Sequence, residues 1–106
     1  MTPLTIEPEK LRSRLNGDDV PLIIDVRSGW EYRLGHIPGA RHIPFWKAPW
    51  QAASLARDPR ELVVLCGHGP RAWIVGAALR LIGHSRVRLL RGHMSRWHRS
   101  GLPIER

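Results

Sequence analysis

The chain has 106 residues, 42% hydrophobic and 25% charged, a composition that suits one globular domain over residues 1–106 and excludes a disordered chain. Its formal net charge is +8, and the excess is lopsided: residues 1–53 carry 7 basic and 6 acidic groups, residues 54–106 carry 10 and 3. A single cysteine excludes an internal disulfide and any multi-cysteine metal cluster.

Pro8 to Leu15 reads as a first helix, with proline near its start and Leu11 and Leu15 on one face. Asn16-Gly17-Asp18-Asp19 ends it. Pro21 to Val26 is a continuous apolar run broken only by Asp25, the pattern of a strand covered on both faces. Ser28 to Arg33 reads as a short helix, with Ser28 and Glu31 spaced as a capping box. Gly35 to Ala40 is a loop, and Ala40 to Ile43 a short strand. Trp46 to Ala56 is a helix candidate weakened by Pro49. Glu61 to Leu65 is the second buried strand, followed by a Gly/Pro loop over Cys66 to Pro70. Arg71 to Ile82 is the best helix, with Gly83 as its C-terminal cap. Val87 to Leu90 is a further strand, and Gly92 opens a closing segment through Trp97. Strands alternating with helices across short connections indicate an α/β domain with a mainly parallel sheet. Such sheets bind ligands beyond the C-terminal ends of their strands, where Cys66 falls.

Glu7 and Glu9 stand where the apolar core of a signal peptide would have to be. The longest apolar-rich stretch, Ala72 to Ile82, contains Arg80 and is too short to cross a bilayer. A cytoplasmic location without membrane contact is expected.

The segment Val63-Val64-Leu65-Cys66-Gly67-His68-Gly69-Pro70-Arg71-Ala72 carries the chemistry. Its order is strand, cysteine, glycine loop, arginine, helix. Glycines let successive N–H groups turn inward and cradle an anion. The following helix adds the partial positive charge of its N-terminus. A sulfur held there gains donors that favour its nucleophilic, anionic form. Arg71 can fork onto oxyanion oxygens. A lone cysteine after an apolar strand is also an ordinary packing residue; the glycines, Arg71 and the helix start tip the reading toward function.

Here the chain resembles the rhodanese-like sulfurtransferase family. Cys66-Gly67-His68-Gly69-Pro70-Arg71 fits its C-x-x-G-x-R active-site loop. Asp25-Val26-Arg27, Glu31-Tyr32, Gly35-His36-Ile37-Pro38-Gly39-Ala40 and Ile43-Pro44 fit its other signature. Gly92, Trp97 and Gly101-Leu102-Pro103 fit its closing region. The resemblance implies a five-stranded, mainly parallel sheet flanked by helices. It implies transfer of sulfane sulfur through a persulfide on Cys66, with Gly67, His68, Gly69, Pro70 and Arg71 binding the donor, and no metal or organic cofactor. Asp25, Arg27 and His36 are scaffold first, and supports behind the site at most. Three departures stand out. Pro70 lacks an N–H that the cradle would use, Ala72 stands where the family often has serine, and the usual Gly-Gly before the last helix is Gly92-His93.

His68 is either a substrate contact or a solvent-facing loop residue. His93 and His98 read as surface histidines, since no metal-binding spacing accompanies them. Trp30, Trp46, Trp50, Trp73 and Trp97 are expected in the core or a pocket wall, with Trp46 and Trp50 on one helix face. Arg86, Arg88, Arg91, Arg96 and Arg99 read first as solvated charge, then as a surface that steers a thiosulfate-like anion or docks an acidic protein. No motif supports nucleic-acid binding.

The expected function is a thiosulfate sulfurtransferase passing sulfur to cyanide or a thiol. Alternatives are a phosphatase or arsenate reductase of the same superfamily, whose loop is one residue longer, and a non-catalytic rhodanese-like binding module, which often lacks the cysteine that this chain keeps.

Overall fold

A computed structural model describes residues 4–106. Five parallel strands form one sheet in the order β1-β5-β4-β2-β3. They are β1 (Thr5–Ile6), β2 (Leu22–Asp25), β3 (Arg41–His42), β4 (Leu62–Leu65) and β5 (Val87–Leu90). The helices between them are α1 (Pro8–Arg14), α2 (Gly29–Leu34), α3 (Ala48–Arg57) and α4 (Pro70–Leu81), with one 3₁₀ turn at Phe45–Lys47, and α5 (His93–Arg99) follows β5. No helix among the described residues is long and apolar enough to cross a membrane.

The two apolar runs read as doubly covered strands are β2 and β4, every residue of which is buried. Successive side chains point to opposite faces. Leu22, Ile24, Val26, Leu62, Val64 and Cys66 pack with Leu55 of α3 and Val75 and Leu79 of α4. Ile23, Val63 and Leu65 pack with Leu11 of α1 and Met94 and Trp97 of α5. This sandwich explains why the runs show no polar alternation.

Some expectations need correction. β1 escapes detection in the sequence; its two residues pair with Leu89 and Leu90 of β5. Pro49 does not weaken the third helix. It occupies the first turn of α3, where its missing N–H costs nothing, and Trp46 falls in the preceding 3₁₀ turn. Of the five tryptophans only Trp97 is buried, whereas Trp30, Trp46, Trp50 and Trp73 are exposed. Trp97 donates its indole N–H to the Pro103 carbonyl at 2.8 Å, so its one polar atom is satisfied inside the core.

Candidate active site

β4 ends at Leu65 in the middle of the sheet, and Cys66 follows at once, fully buried. Leu65 is in register with Asp25 at the end of β2. The chain then turns through Gly67, His68 and Gly69 into α4. Gly69 has φ 133° and donates its N–H to Cys66 Sγ at 2.9 Å. Only glycine takes that backbone conformation cheaply. Pro70 is exposed and opens α4, whose first-turn N–H of Trp73 reaches the Gly69 carbonyl. The nucleophile candidate therefore sits in a tight turn at the N-terminus of a 12-residue helix, with the Gly69 N–H directed at its sulfur.

Arg71 is placed beside this loop but is not a free cation. Its Nη1 and Nη2 donate to Glu31 Oε1 and Oε2 at 2.8 and 3.2 Å. A Cβ at Gly67 would stand 3.5 Å from Arg71 Nη2 and 3.8 Å from Glu31 Oε2, so the ion pair lies against the loop. Glu31 also accepts the Ser28 N–H and hydroxyl, at 3.0 and 2.8 Å, which anchors α2 at its start. The Arg71 guanidinium, with Ser28, lowers the Glu31 carboxyl to about 2. In return Glu31, and more weakly Cys66, raise Arg71. The capping-box spacing marked Glu31 locally; its pairing with a residue 40 positions away left no local signal.

Below the loop the structure brings in a residue that had read as a surface group. His93 is buried, and its Nδ1 accepts the Cys66 N–H at 3.2 Å. Burial, with the nearby charge of His68, lowers its pKa. The next two residues of α5 hold the same loop through their backbone: Met94 N–H reaches the Cys66 carbonyl and Ser95 N–H the Gly67 carbonyl, at 3.0 and 3.1 Å. The sequence signal was the Gly92-His93 departure. His98 is exposed as expected, and His68 is exposed on the loop.

Asp25, in register with Leu65 at the end of β4, Arg27 and His36 have no hydrogen bond to the loop among those described. Asp25 and Arg27 are buried, and Arg27 Nε donates to both oxygens of Asp25 while its Nη2 reaches Asp25 Oδ2 and the Gly35 carbonyl, both at 2.8 Å. His36 stacks on Tyr32 at 3.7 Å between ring centres and pairs with Glu105 across an isolated bridge. The Asp25–Arg27 contacts fix the end of β2, the strand next to β4 in the sheet.

The basic stretch is largely engaged. Arg88 meets Glu61, Arg91 meets Glu7, and Arg96 meets Glu7 and Glu9. Elsewhere, an apolar groove of about 330 Å³ runs between α3 and α4, lined by Phe45, Ala52, Leu55, Ile74 and Ile82 without any residue of the cysteine loop.

The Rhodanese-like domain family matches residues 7–100 of the chain. A sulfurtransferase of Allochromatium vinosum is 35% identical over 99 residues, which cover 93% of this chain and 92% of that protein. Thiosulfate sulfurtransferase GlpE of Pseudomonas paraeruginosa is 37% identical over 101 residues, covering 94% and 87%. Several longer relatives match as well, and of these the chain spans 42% to 45%. Among solved structures, the Alr3790 protein of Anabaena superimposes with a TM-score of 0.85 at 30% identity, covering 94% of this chain and 81% of that one. The cysteine loop, the parallel sheet that carries it and these similarities together place the chain in the rhodanese-like domain family.

Proposed function

We propose that the protein is a sulfurtransferase that carries sulfane sulfur on Cys66. The observation that carries this reading is the Gly69 N–H held 2.9 Å from Cys66 Sγ in a loop at the N-terminus of α4. The Cys66 thiolate attacks the outer sulfur of thiosulfate or a similar donor. The donor's S–S bond breaks, sulfite leaves with the bonding pair, and Cys66 holds a persulfide. Loop N–H groups stabilise the terminal sulfur anion. Cyanide or a thiolate then takes that sulfur, and Cys66 leaves as thiolate. Gly67, His68, Gly69, Pro70 and Arg71 form the donor's binding surface. Arg71 is pre-oriented by Glu31 and keeps N–H groups for the departing sulfite.

The four residues between Cys66 and Arg71 argue against a phosphatase or arsenate reductase. The retained cysteine argues against a purely binding module. A lone thiol that must cycle between persulfide and thiolate suits a reducing compartment, so we place the protein in the cytoplasm.

Intact-mass measurement after incubation with thiosulfate tests this. One added sulfur atom on the wild type, removed by cyanide and absent from Cys66→Ser, is expected. Thiocyanate formation by Cys66→Ser at the wild-type rate overturns it.

A further inference from the structure

His93 occupies a place that its residue type does not favour. It follows Gly92, adopts φ 53°, and is the non-glycine residue with positive φ among those described. A left-handed backbone costs a residue with a Cβ, although histidine is among those that visit it. The imidazole is buried directly beneath the cysteine loop and touches it at both ends. Nδ1 accepts the Cys66 N–H, and a Cβ at Gly69 would stand 3.2 Å from Nε2 and 3.4 Å from Cδ2. Gly69 is the residue whose N–H reaches Cys66 Sγ. One ring thus fixes the peptide that carries the sulfur and lies against the peptide that donates to it.

We propose that His93 is the positioning residue of the cysteine loop: its neutral imidazole, protonated at Nε2, accepts the Cys66 N–H and braces Gly69, and protonation at Nδ1 releases the loop. An accepting Nδ1 has no hydrogen, so the ring is the Nε2–H tautomer. A second proton at Nδ1 would face the Cys66 N–H donor to donor, and that bond must open. From the loop, the Cys66 backbone N–H meets the ring and His68 is the charged group that acts on it. Beside His93 in sequence, Arg91 and Arg96 are engaged by Glu7 and Glu9. Among the described residues, the charge that acts on the ring is that of His68, and it acts in the same direction as burial. The ring is therefore neutral at neutral pH, and the loop is held there.

The consequence for turnover rests on the sulfurtransferase reading; the hydrogen bond itself does not. The first experiment is therefore nitrogen-15 NMR of the resting protein, without donor, titrated from about pH 8 downward past the usual histidine range for as long as the protein stays folded. The His93 ring nitrogens are expected to titrate below the usual histidine range. The Cys66 amide is expected to move with the same midpoint, unaltered in kind by His68→Gln and abolished in His93→Gly. A Cys66 amide that ignores His93, or follows His68 instead, overturns the proposal.

The second experiment is single-turnover sulfur loading from thiosulfate. Glycine suits φ 53° better than histidine, so His93→Gly is expected to fold. It is expected to load about three- to tenfold more slowly at neutral pH, the loss of one hydrogen bond, and to lose the part of the acid fall-off set by His93. His93→Asn tolerates the backbone and can place an amide oxygen where Nδ1 stands. It is expected to restore the neutral rate and to hold it at acidic pH. Asparagine as slow as glycine, or an unchanged acid limb in both variants, overturns the proposal. A wild type that takes up no sulfur defeats the sulfurtransferase reading, while the amide titration still decides the role of His93.

Discussion

Glu31 and Arg71 meet as two parallel forks, Oε1 to Nη1 at 2.8 Å and Oε2 to Nη2 at 3.2 Å, so that the start of α2 and the start of α4 clasp the cysteine loop between them. The pair ties two helices together and, on the proposed function, also orients a cation toward the donor. Arg71→Ala is expected to slow loading from thiosulfate about ten- to hundredfold, the value of a charge-assisted contact of about 1.5–3 kcal/mol, with the fold retained by circular dichroism. Glu31→Gln should cost less, because an amide oxygen still accepts from Arg71 or Ser28. Equal kinetics for Arg71→Ala and wild type at equal folded content would make the pair purely structural.

The same carboxylate sets a pH dependence of stability. Its folded value lies near 2 against 4.5 for the free group. A depressed carboxyl contributes stability that is fully present above the unfolded value and lost as pH falls through the folded one. Denaturant midpoints of the wild type should therefore drop more than those of Glu31→Gln between about 4.5 and about 2. The difference is discounted toward about 1 kcal/mol because the pair is partly open to solvent. Parallel profiles for the two proteins would show that Glu31 contributes nothing to acid sensitivity.

On the proposed function, loop length selects sulfur transfer over phosphoryl transfer. Four residues between Cys66 and Arg71 close a turn so tight that the Gly69 N–H already touches Sγ, which suits one sulfur atom and crowds a tetrahedral phosphoryl group. Hydrolysis of an aryl phosphate should be negligible in the wild type, and one glycine inserted after His68 is the change expected to raise it. Aryl phosphate turnover comparable to that of thiosulfate would reverse this ranking.

Local chemistry was legible and tertiary choice was not. The strand over Val87 to Leu90, the buried runs of β2 and β4 and the Cys66 turn all follow from period, turn residues and caps. β1 is two residues long and exists because β5 offers it an edge. α4 is apolar on several faces, so its pattern does not say that Trp73 and Ile74 face outward while Val75 and Leu79 face the sheet. His93 reads as polar and hence external; burial under the loop depends on where α5 docks.

Charge on β5 and α5 predicts a salt effect. Arg91 and Arg96 are balanced by Glu7 and Glu9, and Arg99 lies exposed in the last turn of α5. Raising salt should lower the second-order rate constant for thiosulfate, a dianion, more than that for a neutral thiol acceptor, since screening confines the field to about 8 Å at physiological ionic strength. Arg99→Gln should flatten that dependence without abolishing turnover. Rate constants flat across salt in both proteins would leave the stretch as solvated charge.

The Asp25–Arg27 pair gives a prediction about scaffold rather than chemistry. Asp25 is 0% and Arg27 6% exposed, so neither charge has water to fall back on. Asp25 Oδ1 also accepts the Arg27 N–H at 3.0 Å, and Arg27 Nη2 holds the Gly35 carbonyl. Removing one partner leaves the other charge buried and uncompensated, a loss of about 3–5 kcal/mol. Against a typical domain stability of about 5–15 kcal/mol, Asp25→Asn should lower the urea midpoint sharply. Replacing both charges, as Asp25→Leu with Arg27→Met, removes the buried ion and should recover part of that loss. Neither residue contacts Cys66 among the described hydrogen bonds, so sulfur loading per folded molecule should be unchanged in the single variant. Loading that falls in a well-folded Asp25→Asn protein would move this pair from the scaffold into the site, as a support transmitted from the end of β2 to the end of β4, where Val26 N–H is bonded to the Leu65 carbonyl at 3.0 Å.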